Sequence, residues 1–112
     1  VERSAGALDA LRRNLAATGF GERAEVLGRD VLAFLDRPDG PYDLVFCDPP
    51  FADTAVLEAS LGHPRLAGAL SREAIVVARA LRKRVPALPA SARVTRAKDI
   101  GEERLIFVEF AA

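Results

Sequence analysis

Apolar residues along this chain fall into short blocks set apart by turn-forming clusters. Residues 5–18 place Ala7, Leu8, Leu11, Leu15 and Ala16 on one face at helical spacing, behind Ser4 as N-cap and ahead of Gly19 as a stop. Residues 24–27 read as a short strand. Asp30 is placed to cap a brief helix that carries Val31, Leu32, Phe34 and Leu35. After a loop rich in Asp, Gly and Pro comes the apolar run Leu44, Val45, Phe46 and Cys47, too short for an ordinary helix. It suits a strand over residues 42–47 that is buried on both faces. Pro49 and Pro50 cannot donate to a ladder, so that strand must end at Asp48.

Beyond the prolines, Thr54 can cap a helix running to about residue 61, and Gly62, His63 and Pro64 break it. Residues 65–70 form a weak further turn and residues 73–78 the next buried strand. A Pro-rich connection over residues 85–91 leads to two alternating segments, 93–98 and 104–110, which read as a hairpin around residues 99–103. Strands and helices alternate and the chain ends in an antiparallel pair. That order predicts an α/β sheet, mostly parallel, with a reversed edge.

In an open α/β sheet, ligands bind beyond the carboxyl ends of the strands, which is where Asp48 falls. Its ionised carboxylate only accepts hydrogen bonds and can take one from an amino group. The Pro49 carbonyl offers a second acceptor, Pro50 stiffens the turn, and Phe51 supplies a flat apolar face for a heteroaromatic ring. Two acceptors and a stacking plane suit an exocyclic amine whose lone pair points outward toward an electrophilic methyl group. The competing reading is a plain strand-ending turn, since Asp and Pro are both common in turns. The apolar strand just before the motif favours a site.

The stretch Asp43-Leu44-Val45-Phe46-Cys47-Asp48-Pro49-Pro50-Phe51 resembles the Asn/Asp-Pro-Pro-Tyr/Phe motif of S-adenosylmethionine-dependent amino-methyltransferases. Among these the chain is most similar to RsmD-type 16S ribosomal RNA guanine-N2 methyltransferases. The similarity takes in Val1-Glu2-Arg3, the first helix, the segment around Asp30, the corner and the later strands. It implies a class I, Rossmann-like sheet with an antiparallel C-terminal hairpin, and residues 1–112 as a single truncated methyltransferase domain. It also implies that the first strand and its Gly-rich turn are missing, because Gly19 and Gly21 follow a helix rather than open one. In that fold the missing strand lies between the pair holding Glu2 and residues 24–27 and the strand ending at Asp48. A sheet interrupted at that point is therefore expected.

The resemblance further assigns S-adenosylmethionine as cofactor. Glu2 would hold its ribose hydroxyls, Asp30 its adenine amine with Val31 against the ring, and Asp48 would border the cofactor. Asp30 is equally a helix cap, and the two roles are compatible. One departure stands out: the strand over residues 73–78 usually ends on an acid in these enzymes, and here Ala78-Arg79 takes that place.

Net charge is zero over 112 residues, yet it is unevenly spread. Residues 1–56 carry 6 basic and 10 acidic side chains (6 − 10 = −4), and residues 57–112 carry 10 and 6 (10 − 6 = +4). Arg79, Arg82, Lys83 and Arg84 are the densest basic group and the candidate RNA-phosphate contacts; Arg93, Arg96 and Lys98 follow. A single Cys47 excludes a disulfide framework, and the lone His63 has no partner spacing for a metal site. Apolar runs fall far short of a membrane span, and a soluble cytoplasmic protein is expected. The functional expectation is methylation of guanine N2 in small-subunit ribosomal RNA, free or in an assembling subunit. The alternatives are methylation of DNA adenine N6 and a non-catalytic remnant that binds RNA or a protein partner.

Overall fold

A computed structural model describes residues 1–50 and 53–111. They group into two compact units, Val1–Arg37 and Pro38–Ala112.

In the first unit, helix α1 spans Ala5–Thr18. Ser4 caps it, its hydroxyl accepting from the Ala7 N–H at 3.5 Å. Gly19 ends it in the left-handed region at φ 76°, which glycine adopts without the Cβ penalty other residues meet, while the Phe20 N–H turns back to the Leu15 carbonyl. Of the expected apolar stripe, Leu8 and Leu15 are half-buried and Leu11 is exposed. Residues 24–27 do not form the expected strand. Their neighbourhood makes one parallel bridge, Glu2 with Gly28, in which the Glu2 N–H donates to the Leu27 carbonyl at 3.0 Å. A β-segment exists only as far as a neighbour supplies the ladder, and among the described residues Glu2 alone does so here. Helix α2, Val31–Asp36, starts at its expected cap, with Asp30 Oδ2 accepting from the Ala33 N–H at 3.3 Å.

The second unit holds a four-stranded sheet built from β1 (Tyr42–Cys47), β2 (Leu70–Leu81), β3 (Ala92–Ile100) and β4 (Glu103–Phe110). Its order is β1-β2-β4-β3, with β1 and β2 parallel and the other pairs antiparallel. The antiparallel C-terminal pair is as the sequence indicates, but the reversed strand is not at the edge: β4 lies inside the sheet, and the edge strand β3 runs the same way as β1 and β2. Helix α3, Thr54–Leu61, makes the crossover between β1 and β2. Its cap is Asp53 rather than the expected Thr54: Asp53 Oδ1 accepts from the Val56 N–H at 3.3 Å. Leu57 and Leu61 of α3 pack on Val76, Ala78, Ala80, Ile106 and Val108, the alternate residues of β2 and β4.

Two expectations are corrected. Strand β2 is longer than residues 73–78, because Tyr42 pairs with Leu70 at one end and Glu103 with Leu81 at the other. Nor is β1 buried on both faces. Val45 and Cys47 join the core, but Leu44 and Phe46 on the other side of the pleat are 55% and 72% exposed.

The hairpin closes tightly. Ile100 pairs with Glu103, leaving only Gly101 and Glu102 in the turn, with Gly101 at φ 61°. A glycine at positive φ in the first central position is the signature of a type II′ turn. No helix among the described residues is long and apolar enough to cross a membrane.

Candidate functional site

The parallel register of β1 and β2 sets Cys47 opposite Ala78, so the next residues, Asp48 just past the end of β1 and Arg79 near the carboxyl end of β2, meet. Arg79 Nε donates to Asp48 Oδ1 at 2.9 Å, and Arg79 Nη1 donates to Glu103 Oε2 at 3.4 Å. The guanidinium thus joins the end of β1 to the start of β4. Its hydrogen bond to Asp48, reinforced by both negative charges, outweighs desolvation and holds Arg79 still more firmly protonated than a free arginine. The Asp48 side chain stays 46% exposed.

Past Asp48, the Pro50 carbonyl accepts from the Asp53 N–H at 2.8 Å, and Asp53 starts α3. Pro49, Pro50, Asp53, Thr54, Leu57 and Arg79 line a shallow cleft between this corner and β2. Its enclosed space is only about 10 Å³, within an open depression of about 200 Å³. That is room for about one water. A nucleobase would lie over the lip and not sink into it. Phe51, the expected stacking face, lies outside the described residues.

Just beneath the corner, Cys47 is enclosed. Desolvation foremost, then the neighbouring Asp48 charge, pushes its thiol up to about 11. Ser60 lies close enough to oppose that rise slightly, yet its buried hydroxyl makes no hydrogen bond of ordinary geometry among the described residues. The contact is polar and weak. Cys47 serves as core filler.

The residues expected to hold a methyl donor lie in the first unit. Glu2 is half-buried at the bridge with Gly28, and its own carboxylate takes the Arg3 N–H at 2.9 Å. Asp30 caps α2 with one oxygen, and the other stands 3.7 Å from Arg3 Nη1. Val31, half-buried, opens the helix. Arg3 thus contacts both acids, Glu2 through its backbone N–H and Asp30 through its guanidinium. Two acceptor carboxylates beside an apolar side chain suit the hydroxyls, amine and ring of an adenosine group.

The basic group is less uniform than the sequence indicates. Arg79 lies within β2 and is matched by two acids, whereas Arg82, Lys83 and Arg84 form the exposed turn after it. The Arg82 N–H donates to the Glu102 carbonyl at 2.7 Å, tying that turn to the hairpin. Arg93 pairs with Glu109 at 2.7 Å, and Arg96 lies over the Phe107 ring. His63 Nδ1 accepts from the Arg65 N–H. Among the described residues, no three His, Cys, Asp or Glu side chains could together hold a metal ion. Sequence reasoning missed Glu103 and Asp53 at the corner. The signal for Glu103 was the two-residue turn, which puts it beside the end of β2.

Residues 1–109 match the family described as "Conserved hypothetical protein 95". The chain belongs to that family. Among curated relatives, "Ribosomal RNA large subunit methyltransferase K/L" of Pseudomonas paraeruginosa is 44% identical over 50 residues, 45% of this chain and 7% of that protein. The protein of the same name from Stutzerimonas stutzeri is 46% identical over the same shares. Among solved structures, "Putative methyltransferase yhhF" from Escherichia coli superposes with a TM-score of 0.82 at 26% identity, over 99% of this chain and 62% of its own. The chain thus spans less than two thirds of that structure and a small part of the curated relatives. The shared fold is the class I methyltransferase α/β sheet, mixed and open.

Proposed function

We propose that this family member is an S-adenosylmethionine-dependent methyltransferase acting on an exocyclic amine of ribosomal RNA, with guanine N2 of 16S RNA as its target. The observation that carries the reading is the corner itself: Asp48, half-exposed at the carboxyl end of β1, is bonded to Arg79, which with Pro49 and Pro50 lines a depression. The names of the relatives support methyl transfer to ribosomal RNA. They name the large subunit, which makes 23S RNA the substrate to run against 16S.

When bound, the cofactor supplies an electrophilic methyl group on a sulfonium sulfur. Glu2 and Asp30 would hold it by its hydroxyls and amine, with Val31 as the apolar side chain of that site. At the corner, Asp48 accepts one N–H of the substrate amine and the Pro49 carbonyl accepts the other. With both protons held in the corner, the nitrogen lone pair is turned away from the ring and left available to an electrophile. Pro50 fixes the turn, and Phe51 is the proposed stacking plane for a base taken out of its helix. The rate gain comes from orientation more than from any proton transfer. Arg82, Lys83 and Arg84 steer RNA phosphates toward the corner.

The test is methyl transfer by the intact protein to 16S RNA, 23S RNA, assembling small subunits and naked DNA, for wild type and Asp48→Ala. Transfer to an RNA that the variant loses, with cofactor affinity by calorimetry within about threefold of wild type, is the expected result. Undiminished turnover in the variant would remove Asp48 from the mechanism. Transfer to DNA alone would make the substrate adenine N6.

A further inference from the structure

We propose that Arg79 is the positioning residue of the corner: held between Asp48 on one side and Glu103 on the other, it fixes the Asp48 carboxylate in one orientation. The proposal rests on the methyltransferase reading above and adds a part to it.

The geometry is specific. Arg79 lies in the central strand of three, with β1 and β4 as its neighbours, and its guanidinium reaches the acid at the end of each. Guanidinium is planar and rigid, so contacts to both sides fix its plane in a way a lysine ammonium cannot. Asp48 Oδ1 is then committed to Arg79 Nε at 2.9 Å. An otherwise rotatable carboxylate is left with its second oxygen as the acceptor for a substrate N–H. Ion pairs with side chains this exposed (41%, 46% and 35%) stabilise a fold little, so stability alone does not account for the arrangement. Arg79 also lines the depression beside the two prolines, so a bound base would lie next to the clamp.

A clamp of this kind affects the rate of transfer more than substrate binding. In the intact protein, Arg79→Gln should lower kcat by ~10- to 100-fold, the scale of a small misplacement of a reacting group, while KM for RNA and cofactor affinity stay within about threefold. Arg79→Lys should not restore kcat, because it returns the charge without the fork. Glu103→Gln, at the far end of the clamp, should lower kcat by a smaller factor and have no further effect in the Arg79→Gln background. One readout is independent of turnover: the Arg79 Nε proton should exchange slowly with solvent by nitrogen-15 NMR and lose that protection in Asp48→Ala.

A raised KM at unchanged kcat, restored by lysine, would make Arg79 a phosphate contact and overturn the clamp while leaving the methyltransferase reading intact. The clamp is overturned equally if active wild type and Arg79→Gln have equal kcat, or if the Nε proton exchanges as in a free arginine. Should Arg79→Gln fail to fold, Glu103→Gln and the exchange measurement decide alone. Wild type that transfers to none of the RNA or DNA substrates would bring down the functional reading and the clamp together.

Discussion

Two arginine–aspartate pairs in the sheet unit look alike in isolation. Arg79 meets Asp48 at 2.9 Å, and Arg104 meets Asp99 through a fork, at 2.6 Å and 3.1 Å. Their exposures are similar. By geometry alone the hairpin pair is the better ion pair, since both carboxylate oxygens are engaged. That is also why it is the poorer site: an acid held at both oxygens has little left for a substrate. Asp48 is held at one, sits where a strand ends, and is joined to Arg79 and Pro49, which line a depression. The comparison teaches that surroundings and residual accepting capacity mark a functional acid better than the tightness of its pair.

The largest effect that would break the contrast is on activity. Asp48→Ala should lower methyl transfer by more than ~100-fold, the cost of losing orientation at a reacting nitrogen, and Asp99→Ala should leave it within about twofold. Equal losses from the two would mean that the corner has no special status. Steady-state assays on the preferred RNA measure both.

Next in size is the support the two pairs share. Leu61 is 1% exposed and packs on Val76 and Val108 beneath the sheet. Leu61→Ala should cost about 2–5 kcal/mol, the range for a large buried side chain leaving a cavity, read from urea unfolding. A cost under about 1 kcal/mol would show that the sheet does not depend on α3.

The two pairs also differ in how far the sequence discloses them. Asp99 and Arg104 are five residues apart across a hairpin, and the glycine turn with alternating residues announces that hairpin locally. Asp48 and Arg79 are 31 residues apart, and their meeting depends on the register of two parallel strands. No local signal fixes that register. For the same reason the helix caps at Ser4 and Asp30 and the stop at Gly19 were legible, being contacts within a few residues. The reach of β2 and the reduction of residues 24–27 to a bridge were not, since both depend on what a distant neighbour pairs with. The corner motif is legible as a turn carrying an acid, whereas the contacts of Arg79 with Asp48 and Glu103 depend on strand register and are not.

Cys47 offers a smaller test of the corner's electrostatics. Its thiol is raised from 9.0 to about 11, by burial first and by the Asp48 charge second. At pH 8 it should label with a thiol reagent ~100-fold more slowly in the folded than in the urea-unfolded chain, in line with two pKa units. Because the folded pKa is the higher one, the unfolded chain loses its thiol proton first as pH rises. The stabilisation is therefore complete below about pH 9 and lost progressively as pH rises toward about 11. Asp48→Asn should lower the thiol pKa, whereas Asp99→Asn should not. If neither substitution moves it, burial accounts for the whole rise.

The smallest expected effect belongs to the hairpin pair itself. The hydrogen bond from Arg104, with help from the charges of Arg104 and Arg82, holds the Asp99 carboxyl below the usual carboxylate range. With the folded pKa below the unfolded one, the unfolded chain takes up the proton first as pH falls. The pair's contribution is present above an unfolded carboxylate value of about 3.9 and disappears as pH drops through the lower folded value. Thermal melts of wild type and Asp99→Asn should therefore differ slightly at pH 7 and converge as pH falls below the unfolded carboxylate value. Since both partners are open to solvent, added salt at pH 7 should shrink the difference as well. A gap that persists at low pH and in high salt would show that Asp99 supports the hairpin through packing or backbone geometry, and the tight fork would then be incidental to its stability.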